Sequence, residues 1–135
     1  NIVNVASLAG RRGMSPLGGY CATKFAVVGF TEALRMELFG TAVSASLVMP
    51  GLVDTPMVRE FEGQQIPAGI AMPRRWVTWA VLAAVTMGLA EVDVPFGAAT
   101  AEKLASLFPE MTGALLGMGS KVLEYISTWT GFNVR

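Results

Sequence analysis

Three side chains carry chemistry by their type and spacing. Ser7 stands thirteen residues before Tyr20, and Lys24 stands four residues after it. Positions four apart on a helix share one face, about 6 Å apart along the axis. Tyr20 and Lys24 therefore project together if a helix runs through them. A tyrosine phenol ionises near pH ~10, too high for a base at neutral pH. A lysine ammonium held at about 4 Å contributes about 4 kcal/mol at an effective dielectric of about 20. That favours a phenolate and moves a phenol toward the range in which general acid-base transfer works best. A serine hydroxyl donates to a developing alkoxide or to a carbonyl oxygen. The set suits proton transfer at an alcohol or carbonyl carbon. It holds no hydride, so a cofactor must supply one.

The elements that would position these residues spell strand, helix, strand. Ile2 to Ala6 is short and β-branched, which predicts a strand buried on both faces. Ser7 to Met14 predicts a loop. Ser15-Pro16 supplies an N-cap and a proline at the first helical position. The helix then runs to about Phe39, with apolar recurrence at Phe25, Val28, Phe30, Ala33, Leu34, Met36 and Leu38, and Gly40 as C-cap. Val43 to Met49 is a second β-rich run, stopped by Pro50-Gly51. In one sheet such a crossover is parallel and right-handed, so the fold class is α/β. Ligands of open parallel sheets bind beyond the carboxyl ends of the strands. One end delivers Ser7 and the other delivers Pro50-Gly51, with the first turns of the helix between them.

Downstream, residues 52–72 form a long apolar connection, with Met57, Phe61, Ile66, Ile70 and Met72 among Pro56, Gly63, Pro67 and Gly69. Connections of this length often serve as lids. Pro73 opens a helix through about Met87, closed by Gly88. Val92 to Val94 reads as a short strand ended by Pro95. Ala99 to Phe108 and Met111 to about Trp129 read as helices.

Composition narrows the function classes. Hydrophobic residues make up 53% of the 135 and charged residues 15%, enough for a core and against disorder. The formal net charge is zero, with no polybasic run to favour nucleic acid. Histidine is absent, which removes imidazole-based nucleophile systems. One cysteine, Cys21, excludes an intrachain disulfide framework and a Cys-cluster zinc site, so no metal is expected. A reducing, intracellular compartment fits that cysteine count. The mean hydropathy of +0.51 is high. The uncharged stretches Leu38–Val53 and Trp76–Ala90 have sixteen and fifteen residues, short of the roughly 20 needed to span a bilayer. The second predicts a buried core helix.

Ser7, Tyr20-Cys21-Ala22-Thr23-Lys24 and Pro50-Gly51-Leu52-Val53-Asp54-Thr55 resemble, in order, three elements of the short-chain dehydrogenase/reductase family. These are a serine thirteen positions before the tyrosine of Y-x-x-x-K, the motif itself, and a following strand that ends in P-G-x-[VI]-x-T. Asn1 to Gly10 also resembles the family's fifth strand. The close resemblance covers residues 1 to about 60, and the P-G ending looks like the classical subgroup. It implies a doubly wound parallel sheet of Rossmann type, here with a helical carboxyl-terminal extension. It implies an alcohol–carbonyl oxidoreductase using NAD or NADP. Tyr20 would be the general acid-base and would also contact the cofactor. Lys24 would bind the nicotinamide ribose and assist Tyr20, and Ser7 would orient the substrate oxygen. The Pro50 to Thr55 loop, through Gly51, Val53 and Thr55, would lie along the nicotinamide. The family's glycine-rich turn, its N-N-A-G stretch and its catalytic asparagine all belong upstream of the segment matched by Asn1. The chain is therefore expected to be the carboxyl-terminal part of one domain: catalytic core 1–51, substrate lid 52–72 and helix-strand-helix tail 73–135. By itself it is not expected to bind a dinucleotide.

Further expectations concern the surroundings. Arg11 and Arg12 read as a solvated loop, and Glu32, Arg35 and Glu37 as an exposed helical face. Cys21 reads as packed rather than reactive, and Trp76 and Trp79 as core or interface. The apolar 52–72 connection favours a small apolar carbonyl or alcohol substrate. Phe30 and Leu34, with the leucines of the tail, favour a homodimer or tetramer, with peripheral membrane contact as the weaker alternative. The location fitting these features is cytoplasmic. A second function class stays open, a truncated non-catalytic relative that serves as a dimerisation or interaction module.

Overall fold

Strands β1 (Ile2–Val5), β2 (Ala45–Pro50) and β3 (Glu91–Val94) pair in parallel, in the order β1-β2-β3. The computed structural model describes residues 1–58, 71–115, 117, 118 and 121. Ile2 pairs with Ala45 and Val5 with Val48, while Leu47 pairs with Glu91 and Pro50 with Val94. Helix α1 (Gly18–Glu37) makes the crossover from β1 to β2, and α2 (Arg74–Met87) lies between β2 and β3 in the chain. Helices cover both sides of the sheet, the expected α/β arrangement.

β2 lies between its neighbours and carries no charge, so all six of its residues are buried. Leu47 and Met49 pack with Ala6, Val28 of α1 and Ala99. Val48 packs on the other side with Ala80 and Ala84 of α2 and with Val94. β1 does not show the expected burial on both faces. It is the edge strand among the described residues, and Ile2 and Val5 are exposed. β3 alternates acid and valine. Glu91 and Asp93 pair with Leu47 and Met49 on the α1 side, and Val92 and Val94 join the α2 side.

α1 begins two residues later than Ser15-Pro16 predicts. Leu17 is its N-cap residue, without a side-chain cap, and Leu17 N donates to Met14 O at 2.8 Å to close a turn instead. The helix ends at Glu37. Gly40 follows at φ +81°, where a side chain would be strained. Its buried residues are Cys21, Val28 and Thr31, so Cys21 is packed as expected. Phe25, Phe30 and Met36 are exposed instead. α2 follows its sequence signals closely. Pro73 stands in extended backbone before it, and Gly88 closes it at φ +64°, donating to Ala84 O.

Trp76 and Trp79 correct the expectation of a core helix: Trp79 is 67% exposed, and the buried residues of α2 are Ala80 and Ala84. Helix α3 (Ala98–Ala105) is shorter than the predicted Ala99–Phe108. The backbone is helical again over 109–115. The rest of the predicted final helix lies almost wholly outside the described residues. Asn1–Glu102 forms one compact unit and Lys103–Arg135 a second. No helix among the described residues is long and apolar enough to cross a membrane.

Candidate active site

At the carboxyl end of β1 the chain turns into a three-residue 3-10 helix, Leu8–Gly10. Ser7 is its N-cap, in extended backbone, and Ser7 Oγ accepts from Ala9 N at 3.2 Å. That bond uses an oxygen lone pair and leaves the hydroxyl hydrogen free to donate. Arg11 closes the other end, its N–H donating to Leu8 O. Gly10 rests on α1. A Cβ there would lie 2.8 Å from Lys24 O and 2.9 Å from Val28 Cγ2, closer than side chains approach. Only glycine allows the turn to sit this near the helix.

Tyr20 and Lys24 occupy the first two turns of α1 and are both half-buried. Lys24 Nζ lies 5.6 Å from the Tyr20 ring centroid, a cation–π contact over the ring. It also donates to Val5 O at 3.5 Å, the outer limit of a hydrogen bond. The ammonium has three donors, so this bond leaves capacity for other acceptors. Val5 is two residues before Ser7, so Lys24 ties Tyr20 to the strand end that delivers Ser7.

The second strand end closes the group. Gly51 N donates to Val94 O at 2.7 Å. A Cβ at Gly51 would fall 3.3 Å from Leu8 Cδ1 and 3.4 Å from Met72 Cε, so the Pro50-Gly51 turn sits beside the Ser7 turn. Pro50 and Val53 are buried. Val53 bridges to Met72 through Asp54 N to Met72 O and Met72 N to Leu52 O. Thr55 caps a short helical turn over 56–58, its O and Oγ1 both accepting from Val58 N. Within the 52–72 connection, Met57 is exposed and Met72 packs beside Val48. Phe61, Ile66 and Ile70 lie outside the described residues.

Several positions around the site correct or extend the sequence reading. Arg11 is no solvated loop residue. Its side chain is 12% exposed, with Nη1 on Glu32 Oε1 at 3.1 Å and Nη2 on Glu91 Oε1 at 2.9 Å. Arg12 pairs with Glu102. Glu32 and Arg35 are accordingly half-buried, with Arg35 donating to Ala45 O and Ala90 O, and only Glu37 stays exposed. Asn4 Nδ2 donates to Thr31 Oγ1 at 3.0 Å, and Thr31 donates to Val27 O at 2.7 Å. Thr31 is fully buried, so this relay satisfies polar groups between β1 and α1. Asp93 Oδ2 accepts from Ala99 N at 2.7 Å and fixes the start of α3. An asparagine in an apolar strand and an acid alternating with valine were the available sequence signals. Among the described residues no cluster of side chains could hold a metal.

The geometry places a tyrosine, a lysine and a serine at the carboxyl end of β1, beside a Pro-Gly turn. The family model described as short chain dehydrogenase matches residues 1–66, which contain all of these positions. Over residues 1–66 the chain matches the short-chain dehydrogenase family.

Its relatives include ketoacyl reductase HetN from Nostoc sp., 39% identical over 95 residues, which cover 69% of this chain and 33% of the relative. Cyclohexanol dehydrogenase from Acinetobacter sp. is 41% identical over 61 residues, 45% of this chain and 24% of that protein. The crystal structure of a short-chain dehydrogenase from Burkholderia cenocepacia in complex with NADP superposes with a TM-score of 0.66 at 30% identity. That match covers 87% of this chain and 47% of the Burkholderia chain. The chain thus spans less than half the length of each of these relatives. The Rossmann-type α/β fold is common to both structures.

Proposed function

We propose that this chain supplies the acid-base side of an alcohol–carbonyl oxidoreductase that uses NAD or NADP. The observation that carries the reading is the convergence of Tyr20, Lys24 and Ser7 at the end of β1. The donor set fits a nicotinamide nucleotide. Lys24 has unspent donors for ribose hydroxyls, and Thr55 offers a hydroxyl near the Gly51 turn, whose missing Cβ keeps the loop close to Leu8. Lys24 would hold the ribose, the Val53 backbone and Thr55 would hold the carboxamide, and Pro50-Gly51 would shape the loop. A bound nicotinamide would supply the hydride chemistry. In reduction, Tyr20 gives its phenolic proton to the substrate oxygen while Ser7 donates a hydrogen bond to the same oxygen. In oxidation, Tyr20 takes the proton back from the alcohol.

The substrate class is a small apolar carbonyl or alcohol. The apolar residues of the 52–72 connection support this, beginning with Met57 beside the cofactor loop. Relatives named for ketoacyl and cyclohexanol substrates point the same way. Assembly as a homodimer or tetramer is supported by the uncovered apolar residues of α1, with Phe30 62% exposed and Met36 73% exposed.

The direct test mixes the full-length protein with reduced nicotinamide cofactors and a panel of ketones, following loss of the reduced nicotinamide absorbance. Turnover of aliphatic or alicyclic ketones supports the reading. Turnover of polar, charged substrates alone removes the substrate class, and no cofactor oxidation with any carbonyl removes the activity.

A further inference from the structure

We propose that Arg11 is a positioning residue, which sets Ser7 against Tyr20 and Lys24 by strapping the 3-10 turn onto α1 and β3. This rests on the function proposed above. The turn after β1 contains only Leu8–Gly10. Ser7 is fixed at one end by Ala9 N, and Arg11 is fixed at the other through Leu8 O. So short a turn moves as a unit. Gly10 meets α1 at the limit of approach, with no space for a Cβ above Lys24 O. That contact is a wall: it stops the turn from coming closer and does nothing to stop it lifting away.

Burial of Ala9 and the packing of Leu8 hold the turn down without direction, and Arg11 adds directed attraction. Its guanidinium binds Glu32, eight residues beyond Lys24 on α1, and Glu91 on β3, from 21 and 80 residues away in the chain. The planar fork lets one side chain serve both carboxylates, a geometry a lysine cannot reproduce. The side chain is 12% exposed, so water competes little for it. Arg12, on Glu102, adds a second tether from the adjacent residue. Arg11 Nε is buried with no partner among the described residues. By joining the turn to α1 and to β3, the cluster stabilises the fold and also fixes the Ser7 turn relative to α1.

The test is a double-mutant cycle in the full-length protein. Arg11→Lys is measured alone and with Ser7→Ala, reading kcat, KM and dinucleotide affinity. Arg11→Lys alone lowers kcat about tenfold with dinucleotide affinity unchanged, because one carboxylate loses its bond and the serine is displaced. In the Ser7→Ala background the same change alters kcat less than about twofold. Glu91→Gln gives a smaller effect with the same dependence on Ser7, and it serves if Arg11→Lys does not fold. An equal loss of kcat in both backgrounds, or no loss in either, overturns the positioning role while leaving the proposed function intact. Full turnover of Tyr20→Phe overturns the function on which the inference rests.

Discussion

Leu47 and Met49 leave β2 toward α1, and Val48 leaves it toward α2. Around the first pair the packing is threaded with directional bonds. Asn4 joins Thr31, Arg11 joins Glu32 and Glu91, and Asp93 holds Ala99 N. Around Val48 lie Val3, Met72, Val77, Val81, Val92, Val94 and two alanines, apolar groups with no such side-chain bond among the described residues. Apolar burial stabilises without fixing orientation, whereas hydrogen bonds and bidentate ion pairs fix distance and angle. The polar side is the one that carries Ser7, Tyr20 and Lys24. The comparison therefore assigns stability to both faces and alignment of the site to one.

The largest effect on stability belongs at Leu47, which is 0% exposed. Leu47→Ala costs about 2–5 kcal/mol, from lost burial and the cavity left behind. A shift of the denaturation midpoint corresponding to less than about 1 kcal/mol would show that the α1 face does not depend on its apolar centre. Gly10→Ala comes next. Its methyl meets the Lys24 carbonyl, and relieving the overlap costs about 1–3 kcal/mol. Because the overlap separates the Ser7 turn from α1, turnover should fall even in fully folded protein, as measured well below the melting temperature. On the other side Gly88→Ala forces a side chain into left-handed backbone at the end of α2, costing about 1–2 kcal/mol. It should lower the melting temperature and leave kcat near the parent value. A fall in kcat as large as that of Gly10→Ala would dissolve the distinction between the faces.

What the sequence discloses about this fold is mostly local. The Tyr20–Lys24 spacing is read directly from helical period, and Pro73 and Gly88 delimit α2 through their own backbone preferences. The parallel crossover is legible too, although β2 runs Ala45–Pro50 rather than Val43–Met49, with Pro50 inside the ladder opposite Val94. Arg11 was not legible, because its carboxylates come from residues 32 and 91, and only the folded sheet brings them together. The exposure of β1 depends on which strand lies beside it, which no pattern within Ile2–Val5 encodes. α1 starts at Gly18 because Met14 and Leu17 close a turn that makes no use of the Ser15 side chain as a cap. Trp76 and Trp79 fit the apolar pattern of a core helix, yet small Ala80 and Ala84 are what lets α2 approach the sheet.

The central claim, that the polar face aligns Tyr20 for proton transfer, is tested most directly by Tyr20→Phe in the full-length protein. The substitution keeps the ring under Lys24 Nζ and removes only the hydroxyl. Steady-state turnover of a ketone should fall at least about 100-fold, the scale of a lost general acid-base group, with unchanged melting temperature and retained dinucleotide binding. Turnover within a few-fold of the parent, in protein that folds and binds the dinucleotide normally, would contradict it.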